Sequence, residues 1–460
     1  MRRVSALLLT VLLAGWAASP ARADAEKLLA LTASKANGAL AVLRFKYTSE
    51  LGDRTVTDQA ICVGADGLFL TLATNATMDS KAISDVELLP PGVGAEPVAA
   101  KFVGIDEPTG IGFFRATGKH PWKPLEFADK AGLYIGQPVA SAGLLPQDTG
   151  FRPYVGVAYV SSSIRVPGKA IYTTGGTLTR PGSPVMNAAG KVVGLVHRQE
   201  SLNRQFVVIN NQPRRVQQAS QLESNFFTPV EEFAEAVAAA GKKRGLSWIG
   251  VVNFTPVGED LSAVLNLKRP GVMIDKIVPD TPAAKQGLQA RDVIVALNGR
   301  PIEQLGTPAL TAGLFQRTVA RTPVGTPMEL GVFRDGKAFT KTVTTQAMPA
   351  RPFEAERLFS RELGLAVRER VMLDDHLDDS PAAKVPGLIV YLVLRASPAL
   401  LGKVQRNDVV VSAAGRAVRT TEDLQAVLDT VLPDKSLEKL TLEVMRGDRK
   451  ETLSLPLPGR

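Results

Sequence analysis

Short apolar runs broken by glycine and proline dominate the chain from about Gly38 to Pro229: LAVLRF, AICVG, GLFLTL, AKFVGI, IGFFRA, QPVASAG and KVVGLVH. Brief apolar runs bounded by turn residues predict strands, and a regular succession of them predicts an all-β sandwich or barrel. Helical spacing flanks this region on both sides. DAEKLLALTASKANGA repeats Leu and Ala at helical intervals and predicts a short leading helix. TPVEEFAEAVAAAGKKRG predicts a connector helix across 228–245. Thr228 is its N-cap, Pro229 suits the first turn, Glu231 completes a capping box and Gly241 stops it. Phe233, Val237 and Ala240 share its apolar face.

Beyond the connector the pattern repeats. GVMIDKIVPDTPAAKQGLQARDVIVALNGRPI, from Gly271, aligns without a gap with GLIVYLVLRASPALLGKVQRNDVVVSAAGRAV, from Gly387. Pro282 pairs with Pro398, Asp292 with Asp408, Gly299 with Gly415 and Arg300 with Arg416. An apolar-Gly-apolar triplet precedes each copy, in WIGV (Trp248–Val251) and ELGL (Glu362–Leu365). A helix and two strands are predicted after each. MPARPFEAERL, rich in proline and charge, reads as the linker between the copies. Two copies are too few for a solenoid, so they predict two small α+β domains.

Composition bounds the rest. The 460 residues are 45% hydrophobic and 22% charged, which suits two to four globular domains. MRRVSALLLTVLLAGWAASPARA has the basic start, apolar run and small-residue end of a secretory signal, with cleavage expected after Ala23. No Cys at that site suggests a lipoprotein, and no later run is long and apolar enough to span a bilayer. The formal charge of +9 falls by three when Arg2, Arg3 and Arg22 leave. The remaining basic residues form no stripe, which argues against nucleic acid as a partner. With one cysteine, Cys62, an exported chain has no internal disulfide and relies on its cores. His120, His197 and His376 are far apart and lack metal-ligand spacing. No metal and no cofactor are expected.

The order of signal peptide, β-rich domain, connector and two copies with SPA…G…D.I…NG resembles the HtrA (Deg) family of extracytoplasmic serine proteases. DTPAAKQGLQARDVIVALNGRPI resembles that family's PDZ domains, and WIGV and ELGL match the loop that holds a peptide's C-terminal carboxylate. The β-rich region resembles the family's trypsin-like domain. GADGLFLTLATNAT is similar to the hairpin of the catalytic His, and GIDEPTGIGFFRA to the segment of the catalytic Asp. LEFADKAGLYIGQPVASAG follows as in the family, and RPGSPVMNAAGKVVGL is similar to the nucleophile loop and its strand. The implied fold class is mainly β: a trypsin-like double β-barrel followed by two α+β PDZ domains. The expected boundaries are signal 1–23, protease-like domain 24–227, connector 228–245, first PDZ domain 246–348, linker 349–358 and second PDZ domain 359–460.

A serine protease needs a hydroxyl nucleophile, an imidazole base and a carboxylate that orients it. The resemblance places the His position on Thr74, the Asp position on Gly110 and the Ser position on Pro181, with Thr179 two places before it. Threonine cannot accept a proton as imidazole does near neutral pH. Proline has neither a hydroxyl nor the N–H that this position gives to an oxyanion hole. Ser183 is the alternative nucleophile. Choosing it breaks the match of VMN…GKVVGL, puts Pro184 directly after the serine and leaves only His120 as an upstream imidazole.

The resemblance therefore implies an exported pseudoprotease without catalytic residues, acting as a PDZ-based scaffold or chaperone-like factor in the cell envelope. The alternatives are an endopeptidase with displaced catalytic residues and a regulatory subunit of an active homologue. The expected partners are C-terminal or unfolded peptide segments, and further copies in a trimer or a mixed oligomer. A PDZ domain adds its ligand as a strand at a sheet edge and caps the C-terminus with backbone N–H groups. Trp248, Ile249, Gly250 and Val251 in the first copy, and Leu363, Gly364 and Leu365 in the second, are the expected peptide-binding residues. Helices near 309–316 and 423–428 form the far walls. The second copy departs from the first in LDDHLDDSPAAKVPG, whose acidic residues lie near the ligand edge.

Overall fold

The computed structural model describes residues 20–72, 82–92, 94–197, 206–209, 212–215, 224–239, 242, 244–377 and 384–457. The chain divides at about Arg244 into two compact units.

In the first unit the short apolar runs become two closed six-stranded antiparallel barrels. Strands β1 (Leu40–Ser49), β2 (Gly52–Cys62), β3 (Leu68–Leu72), β4 (Ile83–Leu89), β5 (Val98–Asp106) and β6 (Ile111–Ala116) close in the order β1-β2-β3-β6-β5-β4. The second barrel uses β7 (Pro138–Leu144), β8 (Pro153–Arg165), β9 (Lys169–Thr174), β10 (Pro184–Met186) and β11 (Val192–Val196). A hairpin of β12 (Phe206–Ile209) and β13 (Gln212–Arg215) precedes β14 (Phe226–Pro229), which completes the ring in the order β10-β11-β14-β9-β8-β7. Closure leaves no open sheet edge to be covered. One apolar core runs through both barrels, joining Leu40, Ile61, Leu70 and Phe113 to Val139, Val185, Val193 and Phe227. Each such side chain contributes about 1.5–3 kcal/mol when fully buried.

Helix α1 (Pro20–Ala36) buries Leu28, Thr32 and Ala36 and packs on β7 and β8. Its inward face is thus used within its own unit. The connector differs from its capping pattern. Thr228 and Pro229 are the last residues of β14, where Leu195 pairs with Thr228, so neither starts a helix. A single 3-10 turn (Val230–Glu232) and the short α2 (Ala234–Ala238) follow. Barrel closure outweighs the capping signal. The Glu231 carboxylate accepts from the Ala131 N–H (3.1 Å) and Lys169 Nζ (2.8 Å) instead of closing a capping box. Ala240 and Gly241 lie outside the described residues.

The second unit carries the repeat. Its first copy comprises β15 (Ser247–Trp248), β16 (Val251–Pro256), α3 (Glu259–Val264), β17 (Val272–Ile277), α4 (Pro282–Lys285), β18 (Val293–Leu297), β19 (Arg300–Pro301), α5 (Pro308–Arg321), β20 (Pro327–Arg334), β21 (Lys337–Thr344) and β22 (Gln346–Ala347). The main sheet runs β16-β17-β18-β20-β21, and β15 pairs separately with β22. The second copy comprises β23 (Arg357–Ser360), β24 (Leu365–Arg368), α6 (Asp374–Leu377), β25 (Leu388–Val393), α7 (Pro398–Leu401), β26 (Val409–Ala413), β27 (Arg416–Ala417), α8 (Thr421–Val431), β28 (Lys439–Arg446) and β29 (Arg449–Pro456). Its sheet runs β23-β24-β25-β26-β28-β29. The expected linker 349–358 therefore ends too late. Arg357 and Leu358 already belong to β23, because Leu358 finds an apolar core to pack against. Asp292 and Asp408, equivalent in the repeat, are both buried and paired with Arg334 and Arg446. Among the described residues no helix is long and apolar enough to cross a membrane.

Candidate functional site

The two barrels meet where the resemblance puts a catalytic centre. Leu72 ends β3 and pairs with Ile111, so Gly110 lies beside it. A Cβ on Gly182 would lie 3.9 Å from the Leu72 side chain. The Gly110 and Pro181 positions are therefore brought to one region around Leu72. Thr74 lies outside the described residues.

The loop at Pro181 is held from within. The Thr179 N–H donates to Ser141 Oγ (2.8 Å) and the Arg180 N–H to Tyr154 Oη (2.9 Å). Pro181 has no N–H. The Gly182 N–H donates to the Val196 carbonyl (2.8 Å) and the Ser183 N–H to the Arg180 carbonyl (3.2 Å). Every amide from Thr179 to Ser183 is thus spent inside the protein. An oxyanion hole requires N–H groups aimed at vacant space, where charge develops. Both candidate donors, at Thr179 and Pro181, fail that requirement. The Arg180 guanidinium pairs with Asp58 at 3.3 Å and ties the loop to β2.

Ser183 is fully buried. Its hydroxyl accepts from Gln59 Nε2 at 3.2 Å, and Gln59 Oε1 accepts from the Leu144 N–H at 2.8 Å. An activated serine needs an adjacent base and an exposed oxygen, whereas Ser183 has an amide partner and no solvent. His120 packs against Trp122 with the rings tilted and their centroids 4.1 Å apart, in a cleft it shares with Asp66. His197 is exposed after β11, and His376 is in α6. Among the described residues no group of His, Cys, Asp and Glu gathers as a metal site. Gln59, Ser141 and Tyr154 were missed as loop supports because their partners are distant in sequence. The only hint was a polar Gln in the apolar end of β2.

In the first copy β16 is an edge strand, and α5 packs alongside it. Thr307 caps α5 by accepting from the Leu310 N–H, and Pro308 fits its first turn. Gly250 has φ +100, and a Cβ there would fall 2.0 Å from Thr281 Oγ1, so only glycine fits this turn. Ile249 and Val251 are buried in the core with Phe254 and Phe315, whose rings meet edge to face at 5.1 Å. The loop thus presents mainly backbone. The Ile249 and Gly250 N–H groups have no partner among the described residues. Trp248 is buried against Val278 and Leu373, and its indole N–H donates to the Val251 carbonyl at 2.7 Å.

The second copy keeps the turn but not the vacancy. Gly364 has φ +63, with a Cβ position 2.3 Å from the Ser397 Cβ. Leu363 and Leu365 are core residues. The Leu363 N–H donates to Ser360 Oγ (3.3 Å) and the Gly364 N–H to the Arg361 carbonyl (3.2 Å). The edge of β24 is paired to β23. The expected acidic insertion is partly neutralised, since Asp374 pairs with Arg368 and Asp375 with Arg370. Residues 378–383 of that insertion lie outside the described residues.

Residues 252–345 match the family model described as a PDZ domain. The chain is similar to a probable periplasmic serine endoprotease DegP-like of Pseudomonas fluorescens. The two are 26% identical over 432 residues, covering 89% of this chain and 82% of the relative. It is similar to the protein of the same description from Pseudomonas savastanoi pv. phaseolicola, 26% identical over 390 residues, covering 78% and 71%. It is also similar to the periplasmic serine endoprotease DegP of Escherichia coli K12, 27% identical over 178 residues, covering 39% of this chain and 32% of that one. Among solved structures it is similar to HtrA-type protease AlgW with decapeptide. The TM-score is 0.51 at 18% identity, over 70% of this chain and 99% of that one. Two closed barrels, a repeat whose first copy matches the PDZ domain, and these relatives agree: the chain is similar to the HtrA/DegP trypsin-like proteins with PDZ domains.

Proposed function

We propose that the protein is an exported HtrA-like pseudoprotease that holds peptide segments through its first PDZ domain and cleaves nothing. One observation carries this reading: every amide from Thr179 to Ser183 is bonded internally or missing, and the Ser183 hydroxyl is buried on Gln59. Pro181 and Gly110 then stand where the resemblance expects a nucleophile and an orienting carboxylate. The open edge of β16, beside α5 and a loop with unspent N–H groups, supports binding of a C-terminal apolar segment as an added strand. The relatives named periplasmic, together with the basic-apolar-small N-terminus, support a place in the cell envelope. Clients are then C-terminal or unfolded segments of envelope proteins, held by a scaffold or chaperone-like factor.

Two assays on the purified chain test this. Unfolded casein should stay intact over hours. A labelled decapeptide pool with free C-termini and randomised last residues should bind, with apolar final residues enriched. Casein cleavage that Ser183→Ala abolishes would overturn the pseudoprotease reading.

A further inference from the structure

We infer that residues 357–360 act as a built-in ligand of the second PDZ domain, so that the two copies are functionally unequal. A ligand whose C-terminus reaches the Gly loop must run antiparallel to the strand that leaves that loop. Strand β23 does so: Arg357 pairs with Arg368, Leu358 with Val367, Phe359 with Ala366 and Ser360 with Leu365. Its final residue, Ser360, therefore sits where a peptide's terminus would arrive. There its hydroxyl takes the Leu363 N–H, and the next carbonyl, Arg361, takes the Gly364 N–H. These are the amides that would cradle a carboxylate. On the far side β23 packs against α8, the counterpart of α5. Leu358 rests on the domain core, as a ligand side chain would.

The first copy makes the contrast. Its preceding strand, β15, turns away to pair with β22, and β16 keeps an open edge. The stretch ahead of the Gly turn is thus placed differently in the two copies, leaving one groove open and filling the other. Tethering explains why the fill is stable. Three or four residues of hairpin closure cost far less than recruiting a free peptide, because the effective concentration of a tethered strand is high. The assignment of roles presupposes that the first domain binds peptide.

Amide hydrogen exchange on the full chain, with and without the decapeptide pool, tests it. In the resting protein, amides of 365–368 should exchange as slowly as those of interior strands, and peptide should leave them unchanged while slowing 249–256. Leu358→Pro removes a ladder donor, since the Glu369 N–H bond to the Glu356 carbonyl sets the alternation that turns the Leu358 N–H toward β24; Leu358→Asp is the milder companion that keeps it. Either should raise exchange at 365–368 by about tenfold or more, and added peptide should then reverse the rise. Edge-like exchange at 365–368 in the resting protein, or peptide protection there without substitution, would overturn the inference. If peptide protects neither edge, the peptide-binding reading falls. Resting protection at 365–368 still decides whether β23 is seated.

Discussion

The side-chain amide of Gln59, on β2 of the first barrel, bonds the hydroxyl of Ser183 in the loop of the second at 3.2 Å, and both residues are buried. The same amide group accepts from the Leu144 N–H. One glutamine therefore ties together the two barrels at the place where a protease keeps its reacting groups.

Gln59→Leu strips two buried groups of their partner at once. An unsatisfied buried polar group costs about 1–3 kcal/mol, so the melting midpoint of the barrel unit should fall. Ser183→Ala should change stability less, and casein should remain intact in both proteins. A thermal melt followed by tryptophan fluorescence and circular dichroism measures the first effect.

Asp106 is 1% exposed and receives Arg244 through both carboxylate oxygens and the Thr109 hydroxyl through one. Removing one partner of a buried pair leaves an uncompensated charge and costs about 3–5 kcal/mol. Arg244→Met should therefore destabilise the barrel unit more than Arg244→Met combined with Asp106→Asn. Chemical denaturation of the three proteins reads the difference.

Gly250 and Gly364 occupy matched turns, yet their substitution should act differently. A Cβ forced into either turn stores about 1–3 kcal/mol of strain. Gly250→Ala should weaken binding of the peptide pool about tenfold or more, as that strain implies. Gly364→Ala should lower the stability of the second domain and leave peptide affinity unchanged. Fluorescence anisotropy with the labelled pool separates them, and equal losses of affinity would contradict the inequality of the two copies.

Burial pushes the Cys62 thiol up to about 11, against a small opposing effect of the Gly64 carbonyl hydrogen bond. The thiolate is the reactive form. Cys62 should therefore resist Ellman's reagent at neutral pH in the folded protein and react fully in denaturant.

Burial opposes charge on Asp374, but Arg368, the Val371 N–H and Arg370 outweigh it and hold the carboxyl below its usual range. A carboxyl lowered on folding stabilises the protein above its unfolded pKa of about 3.9. That contribution is lost as pH falls through the lower folded value. Asp374→Asn should flatten the acid limb of the second unit's stability curve below about pH 4 and shift stability at pH 7 by the same amount.

Much of this architecture was legible in the chain. The short apolar runs between glycines and prolines pointed to a sandwich or barrel, and the gapless match from Gly271 to Gly387 gave the repeated domain. The errors arose where local and tertiary preferences compete. Thr228, Pro229 and Glu231 form a good capping signal, but closing the second barrel demands a strand there. Arg357 and Leu358 read as linker because proline and charge precede them, and only the vacant edge of β24 makes them a strand. The spent amides of Thr179 and Arg180 were invisible, since their acceptors, Ser141 and Tyr154, come from separate strands.

On the pseudoprotease reading proposed above, the internal bonding of residues 179–183 bears on whether proteolysis could be installed here. Replacing Pro181 by serine would supply an oxygen and an amide. The Thr179 N–H would still face Ser141, and the Arg180 N–H would still face Tyr154. A revertant would need the nucleophile, its base, its orienting acid and a rebuilt loop together, with no single change rewarded by activity. On that reading the loop works as a ratchet: each internal bond that secures the present fold closes one route to proteolysis.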